Sequence, residues 1–295
     1  MTTLGLILVC LSACCHASWN ILSKLSGGPI SFLQRALKYS TLIYLPLFLV
    51  AQPWASYSLD TLLCLLASGV ATGLFLLCLS LAYYHGQVSV AYPIARSFPI
   101  LVVTWVAWLW GSFPSTEALL GIGCIVGGCF LLPMERLERG PRGFALRNYA
   151  NASCFWAFMA ALLTSIFSII DKVAATSFPA EPASVALVSR VNYVYLQNVI
   201  AWGVMAAVSS WRRWPRQPTR RGPVVAAGLI LLISYSLIIV ALTTDPVAYV
   251  VSFRQLSILI TALISMIWIE RQVPRVRLVA IGIIFVGVVM VGLAD

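Results

Sequence analysis

Charge is what this sequence has least of. Nine acidic and 19 basic residues make 9% of 295 charged, against about a quarter in soluble globular chains. With 61% hydrophobic residues, that scarcity sets a soluble fold aside and leaves a polytopic membrane protein. Histidine is scarce too, with two residues, and no cysteine has metal-ligand spacing to either. The eight cysteines (Cys10, Cys14, Cys15, Cys64, Cys78, Cys124, Cys129, Cys154) lie in or beside apolar runs and read as small buried hydrophobes. No phosphate loop, zinc signature or nucleophile elbow is visible, so no cofactor or metal is expected, and ATP-driven transport by this chain alone is disfavoured. No carboxylate falls near the centre of an apolar run: Glu117, Asp171, Asp245 and Glu270 are all near ends. A proton-coupled exporter of cationic drugs would need a deep Glu or Asp, so cationic cargo is disfavoured. The net charge of +10 does not point to nucleic acid, because most arginines sit in short links between apolar runs. A signal-peptide n-region is also missing. Leu11-Ser12-Ala13-Cys14 resembles a lipoprotein cleavage box, but no Lys or Arg precedes the run, which continues past Cys14 as a full span.

What is present is apolar sequence in span-sized pieces. Ten transmembrane helices are expected, at about 2–23, 30–51, 59–84, 88–111, 115–133, 150–170, 183–209, 222–243, 246–269 and 277–293. The fold class is therefore all-α. The longest polar link, 134–149, carries Arg136, Arg139, Arg142 and Arg147 and separates five spans (1–133) from five (150–295). The two sets read as repeats. Lys24 aligns with Lys172, Arg35 with Arg190, Arg96 with Arg254 and Trp110 with Trp268, in the same order. Gly123 and Gly128 align with Gly282 and Gly287. Five is odd, so the second five-helix repeat must be inserted upside down relative to the first. That is the inverted-repeat plan of many secondary transporters, whose site lies near the midplane. The links after spans 5, 7 and 9 share one face and hold the arginines, which puts that face in the cytoplasm and both termini outside.

One stretch organises the chemistry: Ala91-Tyr92-Pro93-Ile94-Ala95-Arg96-Ser97-Phe98-Pro99-Ile100. Arg96 lies ~12 Å into its span at 1.5 Å per residue. Pro93 and Pro99 strip helical partners from the carbonyls of Ser89 and Ala95. Freed carbonyls and a guanidinium at this depth must face protein or a polar cavity. The sequence thus predicts a broken fourth helix lining a central site. Arg254 is the matching cation of the second half. Together they suit a carboxylate, phosphate or phosphonate, which guanidinium pairs bidentately. Arg35, Lys38 and Arg190 lie nearer span ends, where snorkelling competes evenly with substrate recognition. His16, Trp19 and Asn20 share one face of span 1. His16 is a candidate titrating or donating group. Trp19 is a cavity wall or a packed aromatic. Tyr92, Ser97, Ser252 and Gln255 flank the deep arginines as cavity contacts or interhelical hydrogen bonds. Asn192, Tyr193, Tyr195 and Gln197 make span 7 unusually polar. Asp171-Lys172, near the end of span 6, reads as a gate or interface ion pair rather than a proton relay.

His16-Ala17-Ser18-Trp19-Asn20 with Lys24, Tyr92-Pro93-Ile94-Ala95-Arg96, Trp268-Ile269-Glu270-Arg271 and the glycine-spaced closing spans (Gly121 to Gly128, Gly282 to Gly292) together resemble the EamA type of the drug/metabolite transporter superfamily. The resemblance covers nearly the whole chain as two EamA-like halves. It implies ten helices with inverted halves, a central cavity lined by spans 1–4 and 6–9, and spans 5 and 10 at the periphery or in a dimer contact. Ser112 replaces the acidic residue usual after the fourth span, while Glu270 is retained. Members are usually drawn with cytoplasmic termini, against the charge bias here.

The reading is a multi-pass transporter of the bacterial inner membrane, secondary-active or facilitative, carrying small anionic or zwitterionic metabolites by alternating access. Amino acids, organic acids and phosphonate-like solutes all fit. Its partners are a small-molecule substrate and the lipid bilayer. Glycine pairs such as Gly123 and Gly127 also allow a homodimer. The rival within transport is a flippase for lipid-linked anionic head groups. A membrane enzyme with His16 as base lacks a convincing carboxylate or nucleophile beside it. A scaffold without a cavity would pair its deep arginines internally.

Overall fold

The computed structural model describes residues 1–26, 29–51, 57–85, 88–131, 134, 150–178, 183–212, 218–268 and 275–294. These residues are 90% helix with no strand. The helices are α1 (Thr3–Leu25), α2 (Pro29–Ala51), α3 (Leu59–His85), α4 (Val88–Leu109), α5 (Thr116–Leu131) and α6 (Ala152–Ser177). They continue as α7 (Ala183–Arg212), α8 (Arg221–Thr244), α9 (Val247–Phe253), α10 (Leu256–Trp268) and α11 (Arg275–Leu293). Six have the length and apolarity to cross a bilayer, and α4, α5 and the α9–α10 region add shorter apolar helices. The chain is a multi-pass membrane protein. Leucines on α2 and α3 (Leu42, Leu49, Leu63, Leu66) and Trp105 and Trp108 on α4 point outward, an apolar coat suited to lipid.

Local chemistry sets the helix starts. Thr2 caps α1 by accepting the Gly5 N–H at 3.0 Å, and Asn151 caps α6 by accepting the Cys154 N–H at 3.0 Å. The ends interlock. Thr2, at the start of α1, donates its N–H and hydroxyl to the Asp245 carboxylate at the end of α8, at 2.7 and 2.9 Å. Lys172, late in α6, donates to the carbonyls of Leu242 and Asp245 at 2.7 and 2.9 Å. The start of α1 and the end of α6 therefore meet at one place. At the other side, Ser153 at the start of α6 donates to the Ala82 carbonyl near the end of α3.

Helices pack where small residues let them. α1 lies on α8, α3 on α6 and α7, α2 on α7 and α8, α4 on α6, and α5 on α11. Lipid tails are as apolar as leucine, so close packing rather than hydrophobic burial draws these helices together. At α5–α11 a Cβ on Gly121 would stand 2.8 Å from the Gly287 carbonyl oxygen, and one on Gly287 2.5 Å from that of Gly121. Gly69 and Gly73 seat α3 on α7, and Gly228 seats α8 on α2. Gly123 and Gly127, the pair singled out for helix association, have open space around them. The close approaches fall on Gly121 and Gly128 instead, because these lie on the face of α5 turned to α11.

Three expectations need correction. The fourth span is not broken: α4 runs continuously from Val88 to Leu109 through Pro93 and Pro99. The broken span is the ninth, which divides at Arg254-Gln255 with no proline at the break. A proline costs one hydrogen bond and a clash, which neighbouring helices can absorb. At Arg254-Gln255 the ladder tightens from i−4 to i−3: the Gln255 N–H reaches Ser252 O at 3.1 Å and the Ile258 N–H reaches Gln255 O at 2.8 Å. Second, Asp171 and Lys172 do not pair: the Asp171 carboxylate accepts from Tyr193, Gln197 and Tyr235, while Lys172 donates to the Leu242 and Asp245 carbonyls. Third, only Cys78, Cys129 and Cys154 are buried; Cys14 is exposed and the other four are half-buried. All eight are free thiols.

Candidate functional site

The ninth-span break delivers Arg254 to the middle of the bundle. Its C-cap position holds the backbone in αR geometry, with the N–H bonded to Val250 O at 3.0 Å. The guanidinium Nη2 lies 3.3 Å from Nδ1 of His16 on α1. Arg96 of α4 engages the other ring nitrogen, Nε2, through its own Nη2. One imidazole from the first half thus stands between two guanidiniums, one from each half. His16 and Arg96 are both buried. Trp19 packs edge-on to His16, ring centroids 4.6 Å apart, and the Arg254 guanidinium lies 5.4 Å from the centroid of the Tyr235 ring.

His16, Trp19, Tyr235 and Arg254 border a cavity of about 50 Å³, and Arg96 lies outside its lining, on the far edge of the imidazole. His16 and Trp19 line it from α1, Thr72 and Phe75 from α3, Gln197 and Asn198 from α7, Ser234 and Tyr235 from α8, and Arg254 from the break. Room of this size suits one or a few waters, a single one needing ≳10–15 Å³.

Behind the cavity wall is a carboxylate. Asp171 is fully buried. It accepts from the Tyr193 hydroxyl at 2.9 Å, from Gln197 Nε2 at 3.1 Å and from the Tyr235 hydroxyl. Gln197 Nε2 also donates to Ser68 Oγ at 2.6 Å. Two of these partners, Gln197 and Tyr235, line the cavity as well.

The expected site residues divide accordingly. His16, Trp19, Arg96 and Arg254 come together. Asn20 is buried on α1, with its Nδ2 lacking a hydrogen-bond partner, and is not among the cavity-lining residues. Gln255 turns its Nε2 back to the Val251 carbonyl at 3.0 Å, an acceptor that the tightened turn leaves over. Gln255 repairs the break rather than lining the cavity. Arg35 reaches out of the bundle to the Thr219 hydroxyl at 2.8 Å, before α8. Arg190 is half-buried on α7, its Nε without a hydrogen-bond partner, and Lys38 is exposed. The side chain of Tyr92 lies outside the described residues.

A sixth span ending at 170 leaves Asp171 at its edge, whereas the helix runs on to Ser177, six residues past Asp171. Tyr235 is a cavity residue that the expected spans do not single out; its signal is Ser234-Tyr235-Ser236, which interrupts an otherwise apolar run. The polarity of span 7 did carry through, since Gln197 lines the cavity and Tyr193 holds Asp171.

Residues 3–134 match the EamA-like transporter family. The match covers a little under half of the chain. EamA-like proteins are membrane transporters, not enzymes. No curated protein matches the chain. A crystal structure described only as that of a protein aligns with a TM-score of 0.73 over 98% of this chain and 96% of its own, at 14% identity. Likeness at that identity speaks to the shared fold alone. The shared fold spans nearly the whole chain.

Proposed function

We propose that this EamA-like protein is a secondary-active or facilitative transporter of small anionic or zwitterionic metabolites, such as amino acids, organic acids or phosphonate-like solutes. It would work in the inner membrane by alternating access around the cavity at His16. The observation that carries this reading is the convergence of Arg96 and Arg254 on one imidazole. A neutral imidazole has one lone pair and an imidazolium has none. The ring can therefore accept from only one of the two guanidiniums at a time. A carboxylate or phosphonate offers several lone pairs in a plane or tripod, and satisfies both. With about 50 Å³ available, cargo would enter as the halves part and would displace the imidazole from between the arginines.

Two five-helix repeats, 1–133 and 150–295 joined by 134–149, would rock about that site. The packing supports the repeat reading. Exchanging each helix of one half for its counterpart turns the α1–α8 contact into α6–α3 and α2–α8 into α7–α3, and returns α2–α7 and α5–α11 to themselves. The meeting of the α1 start with the α6 end supports opposite insertion of the two.

The test is thermal stabilisation of the purified protein by a panel of small anions, zwitterions and cations, with Arg96→Gln and Arg254→Gln in parallel. A solute at 100 times its Kd should add about 2.7 kcal/mol. Stabilisation by anions or zwitterions that is lost in both variants supports the reading. Stabilisation by cations alone, or by anions undiminished in both variants, sinks it.

A further inference from the structure

Asp171 has no part in holding cargo in the reading above, yet its surroundings form a built site. It is a fully buried carboxylate on α6 with hydroxyl and amide donors on two other helices. Helices α3, α7 and α8 contribute to it. α3 brings Ser68, bonded to the same amide, and the half-buried Cys64 thiol. α7 brings Tyr193 and Gln197, and α8 brings Tyr235. Arg254 lies on the face of the Tyr235 ring, and Arg96 is beyond it at His16. Lys172, next in the chain, is turned away to the α8 carbonyls, and Asp245 is bound to Thr2.

We propose that Asp171 binds and releases the coupling proton, and that Gln197 reports its state to the cavity by turning its side-chain amide. The proposal rests on the transport reading only for the word coupling; the switch itself stands on the hydrogen bonds.

The ionised carboxylate is satisfied by the donors it has: two phenols and Gln197 Nε2. The protonated acid has an O–H that needs an acceptor. Gln197 supplies one, since its Oε1 is buried and has no hydrogen-bond partner. A half-turn of the amide brings Oε1 to where Nε2 was. There it accepts from the Asp171 O–H and from the Ser68 hydroxyl, and both are satisfied. The same half-turn moves Nε2 to the former place of Oε1. Because Gln197 lines the cavity, the atom it turns away from Asp171 changes from an acceptor to a donor. No covalent bond between heavy atoms changes. One proton arrives from water on the side to which the cavity is open, and leaves to water on the other.

Electrostatics gives the same sign. Protonation removes the one negative charge set behind two guanidiniums, so an anion at Arg96 and Arg254 meets a more cationic, donor-rich site. By linkage, a bound anion favours the protonated acid to the same degree. Proton and anion would therefore travel together.

Infrared spectra of the purified full chain, titrated from acid to alkaline pH with no added solute, test this. A carboxyl C=O band should titrate in the wild type, be missing from Asp171→Asn, and be accompanied by a shift in a glutamine amide C=O band. Gln197→Leu should keep the carboxyl band and lose the amide shift. The proposal falls if no titrating band is lost in Asp171→Asn. It falls equally if that band titrates with no amide shift. Gln197→Leu keeps Asp171, so the switch remains readable should Asp171→Asn not fold. Failure of the transport reading would register as absent anion stabilisation and leave these spectra as they are.

Discussion

Arg254 and His16 come within 3.3 Å of each other although 238 residues separate them, and Arg96 holds the opposite edge of the same ring. The imidazole stands between two cations of opposite halves. Removing it with His16→Ala leaves the guanidiniums facing each other without the shared acceptor. The expected loss is about 1–3 kcal/mol, the usual cost of orphaning buried polar groups. Added sulfate should restore more stability to His16→Ala than it gives the wild type, since an anion can occupy the gap. Thermal unfolding with and without sulfate measures both. Equal stability and equal response in the two proteins would count against the bridge.

The α5–α11 seam gives a second expectation, with a built-in control. Gly121→Leu or Gly287→Leu would drive a side chain into the partner backbone, where even a Cβ stands 2.5–2.8 Å from a carbonyl oxygen. Overpacking of this kind costs about 1–3 kcal/mol. Gly123→Leu, on the open side of the same helix, should leave monomer stability within about 0.5 kcal/mol. Unfolding in detergent compares the three directly. A Gly123→Leu protein as damaged as Gly121→Leu would show that the seam is not where α5 is constrained.

Much of this was legible in the sequence, for a physical reason. A bilayer demands span-length apolar runs, and all ten expected runs became helical, nine of them as single helices. Deep charge is expensive there, so Arg96 and Arg254 stood out before any coordinates did, as did the span-1 cluster around His16. Helix breaks were less legible. Pro93 and Pro99 look like a break and lie in a continuous helix, while Arg254-Gln255 breaks with no proline. Whether a freed carbonyl finds a substitute donor depends on a side chain reaching back, as that of Gln255 does. Asp171 was hidden by its distance along the chain from Tyr235 and Ser68, which only packing brings to it.

Gln255 itself is open to test. Its Nε2 bonds the Val251 carbonyl at 3.0 Å within the break. Gln255→Leu keeps the volume and removes the donor. A buried carbonyl then goes unpaired, at about 1–3 kcal/mol. Gln255→Glu offers no equivalent donor when ionised and should not rescue. Unfolding midpoints for the two variants against wild type decide it; a Gln255→Leu protein with wild-type stability would mean that the break is satisfied some other way.

Asp245 ties three helices at one end of the bundle. Its carboxylate accepts from the Thr2 N–H and hydroxyl, and its backbone carbonyl accepts from Lys172. Gly5 must remain glycine for this, because a Cβ there would overlap the carboxylate. Asp245→Asn keeps the shape but offers one carbonyl oxygen where there were two charged ones, so one of the two Thr2 bonds is lost and the other weakened. Charge-assisted bonds contribute about 1.5–3 kcal/mol each, which sets the upper range of the loss. The effect should be local before it is global. Amide hydrogen exchange over residues 2–6 should quicken in Asp245→Asn, while exchange around His16 stays as in the wild type. If exchange rises equally along all of α1, the carboxylate supports the whole helix rather than latching its start.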